Sequence, residues 1–182
     1  MAARSFLFLL GSSRPDGNTE TLARIAAEQL PPDTEQRWLS LRELPLPDFE
    51  DLRHPERRHI PPSGHSGTLL RATLDATDVV IASPLYWYSV SSSTKRYLDH
   101  WSGWLEAPGA DFKGRMAGKT LWGVTALADT DSAVAEPLAG TLRISAEYLA
   151  MRWGGVLLGN GSKPGDVLSD AGAMARAKVF FS

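Results

Sequence analysis

The chain has 182 residues, the length of one ordinary globular domain, and its 43% hydrophobic content excludes a disordered or collagen-like protein. Nineteen basic and 21 acidic residues leave a formal charge of −2, so the chain lacks the basic field of a nucleic-acid-binding protein. The absence of cysteine excludes disulfides, thiol nucleophiles and cysteine metal ligands. No apolar run reaches the ~20 residues that span a bilayer or has the features of a signal peptide. We therefore expect one cytoplasmic domain over residues 1–182, with no membrane span.

The chain begins with a strand, a turn and a helix. The apolar run Ser5–Leu10, ended by Gly11, is typical of a strand that is buried on both faces. Turn-forming residues follow, up to Thr19, and the next apolar residues recur at the i, i+3, i+4 and i+8 positions of a helix, starting at Leu22. The pair Pro31-Pro32 is predicted to stop that helix.

The same alternation continues to the end of the sequence. Further strands are predicted at Arg37–Leu41, Asp78–Ser83, Thr120–Leu127 and Val156–Leu158. Further helices are predicted around residues 69–74 and 97–105, from Pro137 to residue 151, and over residues 170–181. Residues 44–67 are rich in Pro, His, Arg and Gly, which predicts one long surface connection.

Alternating strands and helices predict an α/β fold, with a five-stranded parallel sheet and helices on both faces. Ligands of such sheets bind beyond the carboxyl ends of the strands, where the strand order reverses. The loops after the first, third and fourth strands are therefore the places to look for a site.

The loop Gly11–Thr19 has the composition of a phosphate-binding loop. It leads into a helix, whose first N–H groups and partial positive charge stabilise an anion. Ser12, Asn18 and Thr19 can add neutral donors, and Arg14 offers a guanidinium fork that fits phosphate oxygens. The loop lacks both the Gly-Lys-Ser/Thr of an NTPase and the G-x-G-x-x-G of a dinucleotide fold. A plain turn, in which Asn18 or Thr19 caps the helix, is the alternative.

The loop after the third predicted strand carries three consecutive aromatic residues, Tyr86, Trp87 and Tyr88, behind Pro84. Adjacent side chains point in different directions, so the core cannot take all three. A flat conjugated ligand would account for them through stacking, while the loop N–H groups reach the polar atoms of its ring. The alternative is packing against a neighbouring element or another subunit.

Other candidate chemistries find little support in the sequence. His54, His59, His65 and His100 show no metal-binding spacing, and Ser83 precedes a proline rather than lying in a G-x-S-x-G turn. Lys95 and Asp99 stand four apart on a predicted helix and are interpreted as a structural ion pair. Trp101 and Trp104 share the helical stripe of Tyr97, so we expect them in the core or at a subunit contact.

At this point a resemblance becomes specific. The pattern G-S-x-R-x-x-x-N-T over Gly11–Thr19, and the segment Pro84–Ser89 together with Lys95 and Asp99, resemble the NAD(P)H-dependent FMN reductase and quinone reductase families. The resemblance implies a flavodoxin-like three-layer sandwich over essentially the whole chain. It also implies FMN as the cofactor and NADPH or NADH as the co-substrate.

The resemblance further implies a set of cofactor-binding residues and no catalytic side chain. The FMN phosphate would be bound by Ser12, Arg14, Asn18 and Thr19. The flavin ring would be lined by Pro84, Leu85, Tyr86, Trp87, Tyr88 and Ser89, and closed on its other side by the loop that begins at Thr125. The chain departs from many relatives at Ser13 and Ser91, where they have proline. The basic stretch 53–59 matches no motif of the family and is interpreted as a solvated loop.

Three functions stay open on the sequence. The leading one is an oxidoreductase that passes a hydride from NAD(P)H through FMN to a small-molecule acceptor, such as a quinone or a flavin. The others are a flavodoxin-type electron carrier and a non-catalytic accessory subunit with the same fold, like the quinone-reductase-like subunits of potassium efflux systems. We also expect a homodimer, because six tryptophans exceed what one core of this size needs and the resemblance implies pairing near the flavin.

Overall fold

A computed structural model describes residues 4–52 and 61–182 of the chain. These residues contain five strands: β1 (Ser5–Leu10), β2 (Glu35–Ser40), β3 (Asp78–Ala82), β4 (Thr120–Leu127) and β5 (Arg152–Asn160). The α-helices of the described residues are α1 (Asn18–Ala27), α2 (Gly64–Asp75), α3 (Ser92–Leu105), α4 (Phe112–Met116), α5 (Glu136–Tyr148) and α6 (Ala171–Ala177). Short 3-10 turns at Ser132–Ala135 and Asp166–Ser169 precede the last two helices. The basic stretch 53–59 lies outside the described residues.

The strands form one parallel sheet in the order β2-β1-β3-β4-β5. The chain passes from β1 outward to β2 and then crosses back to β3, so the direction of winding reverses between β1 and β3. This confirms the predicted five-stranded parallel sheet. It also places the crevice that such a reversal creates beyond the carboxyl ends of β1 and β3.

Side chains alternate across the sheet and build a separate core on each face. Leu7, Leu9, Val79, Ile81 and Leu121 point to the face covered by α2, α3, α4 and α5. On the other face, residues such as Phe8 and Val80 pack against α1 and α6. Tyr97, Trp101 and Trp104 are buried in the first of these cores, as one of the two sequence interpretations expected.

Several predicted boundaries differ from the observed ones. Helix α2 begins at Gly64, inside the predicted connection, and α4 is too short for its periodicity to show in the sequence. Helix α5 ends at Tyr148, and its Ile144 and Tyr148 are exposed rather than buried. Strand β5 runs well beyond the predicted residues 156–158, because Gly154 and Gly155 interrupt the apolar pattern without ending the strand.

A polar cluster closes the sheet at the amino ends of its strands. The Asp78 carboxylate is buried and accepts hydrogen bonds from Arg4, at 2.8 and 3.2 Å, from Trp122 Nε1 at 2.9 Å and from Thr77 Oγ1 at 2.7 Å. Arg4 also donates to the carbonyl oxygen of Phe181 at 2.9 Å. Burial raises the pKa of Asp78, but the hydrogen bonds from Arg4, Trp122 and Thr77 outweigh it and hold that pKa below its usual value. This cluster joins both ends of the described chain to the sheet.

In residues 4–52 and 61–182, no helix combines the length and apolar character needed to cross a bilayer.

Candidate functional site

The candidate site is the crevice between the loops that follow β1, β3, β4 and β5. The backbone N–H of Gly11 donates to the carbonyl oxygen of Ala82 at 2.9 Å, so the first and third loops leave the sheet side by side. Glycine fits this close approach, because a Cβ at position 11 would lie 2.0 Å from Thr94 Oγ1. The two sequence windows that were singled out therefore meet at one place in the structure.

The first loop leads into α1 through an N-cap without a side-chain hydrogen bond. The N-cap residue is Gly17, and Asn18 and Thr19 are the first two residues of the helix, which removes the alternative that either of them caps it. The loop is stabilised instead by a hydrogen bond from the Arg14 N–H to Ser12 Oγ at 3.2 Å. The first N–H groups of α1 consequently remain available to an anion in the crevice.

Asn18 and Thr19 are both buried and tie the loop to other parts of the chain. Asn18 Nδ2 donates to the carbonyl oxygen of Lys163 at 2.8 Å, and Asn18 Oδ1 accepts from the N–H of Gly165 at 2.9 Å. Thr19 Oγ1 accepts from the N–H of Ala126 at 3.1 Å. The amide of Asn18 thus serves first to hold the β5–α6 loop, while the hydroxyl of Thr19 keeps its own hydrogen to donate.

A cavity of about 190 Å³ lies in front of this loop. The residues that line it are Ser12, Arg14, Gly17, Asn18, Thr19, Pro84, Leu85, Tyr86, Ala126, Ala128, Gly161 and Ser162. Its walls therefore combine the proposed phosphate-binding residues with the start of the aromatic loop. One end of the cavity offers a cation, several hydroxyl groups and a helix N-terminus, and the other end offers apolar groups. This combination suits a phosphate ester joined to a flat ring. The residues present fit FMN.

The aromatic segment forms a tight reversal of the chain, which we call the aromatic turn (residues 86–89). Tyr86 and Ser89 exchange both backbone hydrogen bonds, at 3.0 and 3.1 Å. Trp87 and Tyr88 at its tip have φ values of 49° and 64°, the signs of a type I′ turn, where asparagine and glycine are favoured. Trp87 is 93% exposed and Tyr88 is 56% exposed. Two large side chains are thus held in a strained backbone and turned toward solvent, an arrangement that concentrates at functional sites.

A second cavity, of about 180 Å³, lies under this turn and is lined by Leu85, Trp87, Tyr88, Leu127, Ala128, Asp129 and Val134. It shares Leu85 and Ala128 with the first cavity, so the two are neighbours along the crevice. Ser89 lines neither and acts through the hydrogen bonds of the turn.

The loop that begins at Thr125 was expected to close the crevice; residues of this loop do line it, but the Thr125 side chain does not. Its side chain is fully buried inside β4 and lines neither of these two cavities. Successive residues of a strand point to opposite faces, and here Ala126 and Ala128 reach the crevice instead. Thr125 Oγ1 has no hydrogen-bond partner among the described residues.

A small network of hydroxyl groups fixes the two loops to each other. Ser91 caps α3, donates to the carbonyl oxygen of Gly11 at 2.6 Å, and its N–H donates to Ser83 Oγ at 2.9 Å. Ser93 also donates to Gly11, at 3.0 Å. A proline at position 91 would lack both the N–H and the hydroxyl, and the hydroxyl is the group that links the aromatic loop to the first loop through Gly11.

The sequence reasoning missed the β5–α6 loop. Arg14 Nη2 donates to the carbonyl oxygen of Ser162 at 3.2 Å, and Gly161 and Ser162 line the first cavity. The run of turn formers from Gly159 to Gly165, at the carboxyl end of a strand, was the available signal.

The remaining candidates lie outside the crevice chemistry. Lys95 and Asp99 form the expected ion pair on α3, at 2.5 Å, and both are exposed. Within the described ranges, no group of three His, Cys, Asp or Glu residues is placed to hold a metal ion.

The chain is similar to known proteins both in sequence and in fold. The family model described as NADPH-dependent FMN reductase matches residues 5–147. A curated relative, YwqN of Bacillus subtilis (strain 168), is 30% identical over 168 residues, which are 92% of this chain and 91% of the relative. The name of that protein describes an NAD(P)H-dependent FMN-containing oxidoreductase.

Solved structures share the fold at lower identity. A Trp repressor binding protein from Bacillus subtilis superposes with a TM-score of 0.77 at 24% identity, with 97% of each chain covered. A flavodoxin, WrbA-like protein from Agrobacterium tumefaciens gives a TM-score of 0.59 at 14% identity, with 99% of this chain and 96% of that chain covered. These similarities confirm the predicted flavodoxin-like fold.

Proposed function

Since the chain belongs to the NADPH-dependent FMN reductase family, we propose that it binds FMN in the crevice and transfers reducing equivalents from NADPH or NADH to a small-molecule acceptor. The acceptor that we propose is a quinone, a flavin or a similar conjugated compound. Residues 1–182 act as a single FMN-binding domain in this proposal.

One observation carries the proposal. The loop with Ser12 and Arg14 and the loop that begins at Pro84 line the same cavity, although about 70 positions separate them in the sequence. The cavity lies at the reversal of strand order, where doubly wound sheets bind their ligands.

We assign the phosphate group to the end of the cavity formed by α1. The N–H groups of its first turn point at the anion, and the Arg14 guanidinium adds a charge-assisted contact. Arg14 is held for this by its bond to Ser162, and the β5–α6 loop is in turn held by Asn18. The hydroxyls of Ser12 and Thr19 complete the set of donors.

We assign the flavin ring to the apolar end of the first cavity and to the cavity under the aromatic turn. Pro84, Leu85 and Ala128 supply flat apolar surface, and Tyr86, Trp87 and Tyr88 supply aromatic surface. These side chains bind the ring, orient it and exclude water from one of its faces.

When bound, FMN supplies a ring that accepts a hydride from NAD(P)H and passes two electrons to the acceptor, so no protein side chain has to take part covalently. The tasks of this chain are then to retain the cofactor between turnovers and to hold its ring at a fixed angle. The hydroxyl network around Ser91 serves the second task, because it prevents the phosphate loop and the aromatic loop from moving apart.

A visible absorption spectrum of the purified protein tests the proposal, followed by anaerobic addition of NADH or NADPH. We expect flavin bands that bleach with at least one of the nucleotides. Flavin bands that are indifferent to both would instead indicate an electron carrier. A colourless protein that does not take up added FMN would indicate an accessory subunit.

The phosphate assignment is tested with Arg14→Gln. We expect its FMN dissociation constant to rise by about tenfold, since a charge-assisted phosphate contact is lost, while its riboflavin dissociation constant is unchanged. Flavin fluorescence titration measures both. Arg143→Gln is the matched control, because Arg143 forms an exposed ion pair with Glu147 at 2.9 Å and lines neither crevice cavity. Equal weakening of FMN and riboflavin by Arg14→Gln would contradict the assignment.

We also propose a homodimer in which the exposed tip of the aromatic turn lies close to the second copy. The 93% exposure of Trp87 supports this, since an aromatic side chain of that size is costly to leave in water. Analytical ultracentrifugation of the wild-type protein and of Trp87→Ser tests it. A wild-type monomer would refute the dimer.

A further inference from the structure

A third cavity, of about 270 Å³, opens on the other side of the β1–α1 loop. It lies between Ser12 and Ser13, the segment that follows β2, and the first turn of α3. It shares Ser12 and Tyr86 with the cavity assigned to the FMN phosphate, and a hydrogen bond between Ser13 Oγ and Tyr86 Oη, at 3.2 Å, crosses the boundary between the two. A ligand in this third cavity would therefore lie next to the cofactor.

The walls of the third cavity are positively charged and rich in hydroxyl groups. Arg42 and Arg96 line it, together with Ser12, Ser92 and Ser93, and no aspartate or glutamate is among the described residues that do so. The N-terminus of the 14-residue helix α3 faces the same space and adds the positive end of a helix dipole. In a chain with a net charge of −2, this is a local concentration of groups that bind anions.

The ion pairs that Arg42 and Arg96 form within the chain are weak. Arg96 donates from Nε and Nη2 to a single oxygen of Asp48, at 3.0 and 2.8 Å, and the Asp48 side chain is 91% exposed. Arg42 pairs with Glu43 at 3.2 Å, and both of these side chains are also exposed. Exposed ion pairs contribute little stability, so a phosphate that offers several oxygens to each guanidinium can replace the two carboxylates.

Building on the function proposed above, we propose that the third cavity binds the phosphomonoester of a nucleotide co-substrate, namely the 2′-phosphate of NADPH, and that Arg42 and Arg96 make the enzyme prefer NADPH to NADH. The phosphomonoester is a dianion, which matches the two cations that line the cavity. NADH carries a hydroxyl at that position and leaves both arginines with their carboxylates.

The test compares the flavin-loaded wild-type protein with Arg96→Gln and Arg42→Gln, and uses Arg143→Gln as the matched exposed arginine. Circular dichroism checks that all four are folded. We expect Arg96→Gln to lower kcat/KM for NADPH by about tenfold, with kcat/KM for NADH unchanged, because a charged hydrogen bond to the phosphate is lost. We expect the same direction for Arg42→Gln and no change for Arg143→Gln.

Binding is measured separately by calorimetry with 2′,5′-ADP and 5′-ADP, which requires no turnover. Tighter binding of 2′,5′-ADP to the wild-type protein, lost in Arg96→Gln, supports the inference. Equal binding of the two nucleotides, or an equal loss of NADPH and NADH efficiency in Arg96→Gln, overturns it. A protein that binds no flavin would refute the proposed function, but its preference for 2′,5′-ADP would still decide the role of this cavity.

A phosphomonoester also occurs on free FMN, which could be the acceptor. With NADH as the donor, FMN and riboflavin are therefore compared as acceptors in the wild-type protein and in Arg96→Gln. A loss that appears with FMN but not with riboflavin, with the NADPH preference intact, would overturn the assignment to NADPH and give the cavity to the flavin acceptor.

Discussion

The aromatic turn combines a strained backbone with exposed aromatic side chains, and a double substitution at its tip removes both. In Trp87→Asn/Tyr88→Gly the turn receives the residues that a type I′ turn prefers, and the exposed aromatic surface is removed. Relief of the left-handed backbone at the two positions, with φ of 49° and 64°, contributes about 1–2 kcal/mol each. The half-buried Tyr88 ring loses about 1 kcal/mol of burial, whereas Trp87 at 93% exposure loses little. Glycine loses more chain entropy on folding, which costs up to about 1 kcal/mol. We therefore expect the flavin-free variant to be more stable than the wild type by about 1–2 kcal/mol.

The measurement is thermal unfolding of the flavin-free and FMN-saturated proteins. For a chain of this length, the expected gain corresponds to a rise in the Tm of the flavin-free protein of about 2–8 °C. Added FMN should raise the Tm of the wild type strongly and that of the variant weakly, because the variant lacks the aromatic surface that the ring contacts.

Ala150→Gly is the control for strain without function. Ala150 follows α5 with φ of 53°, is exposed, and occupies a position where glycine commonly ends a helix. It should gain stability with FMN binding unchanged. If the flavin-free turn variant is no more stable than the wild type, the strain argument is refuted. If FMN stabilises both proteins equally, the ring does not contact the turn.

Three further predictions concern the frame around the crevice. Asp78→Asn should lower the free energy of unfolding by about 2 kcal/mol at neutral pH, because it removes the buried charge that Arg4 pairs with. The pKa of Asp78 is lowered in the folded state, so the ionised carboxylate stabilises the fold above pH ~4, and this stabilisation is lost as the pH falls through the lowered pKa. The free energy of unfolding of Asp78→Asn should therefore depend less on pH in the acid range than that of the wild type or of the control Asp99→Asn. Gly11→Ala should destabilise the protein by about 1–3 kcal/mol, because the new Cβ would clash with Thr94 Oγ1. In a double-mutant cycle, Thr94→Ala should recover part of this loss, and purely additive effects of the two substitutions would contradict the clash. Asn18→Ala should cost about 1–3 kcal/mol and speed hydrogen exchange of the Gly165 amide, and an unchanged exchange rate would contradict the role given to Asn18 in holding the β5–α6 loop.

The sequence predicted those parts of the fold that depend on local pattern. Strands β1 and β4 have the predicted bounds, because each is a largely apolar run whose ends carry turn-forming residues. Strand β5 was predicted too short, since its pairing with β4 continues through a register shift and through Gly155, whose φ of 104° no local pattern reveals. Helix α4, with five residues, contains too few turns to show a helical period.

The sequence predicts which loops form the site, but not which residues contact each other within it. Parallel strands place their carboxyl ends at one edge, so the first and third loops could be expected to meet. The role of Asn18, however, depends on a segment about 145 positions away, and that of Thr19 on Ala126. Side chains alternate between the two faces along β4, so a shift of one residue moves a side chain from the crevice to the core. Thr125 falls on the core side, and the sequence alone did not show this.

The polar cluster around Asp78 indicates where the protein can be tethered to a solid support. Arg4 and the Phe181 carbonyl oxygen, 2.9 Å apart, lie at the edge of the sheet opposite the crevice. A tether fused near either residue would leave the crevice pointing away from the support, so a flavoprotein immobilised on an electrode in this way would present its redox centre to the solution.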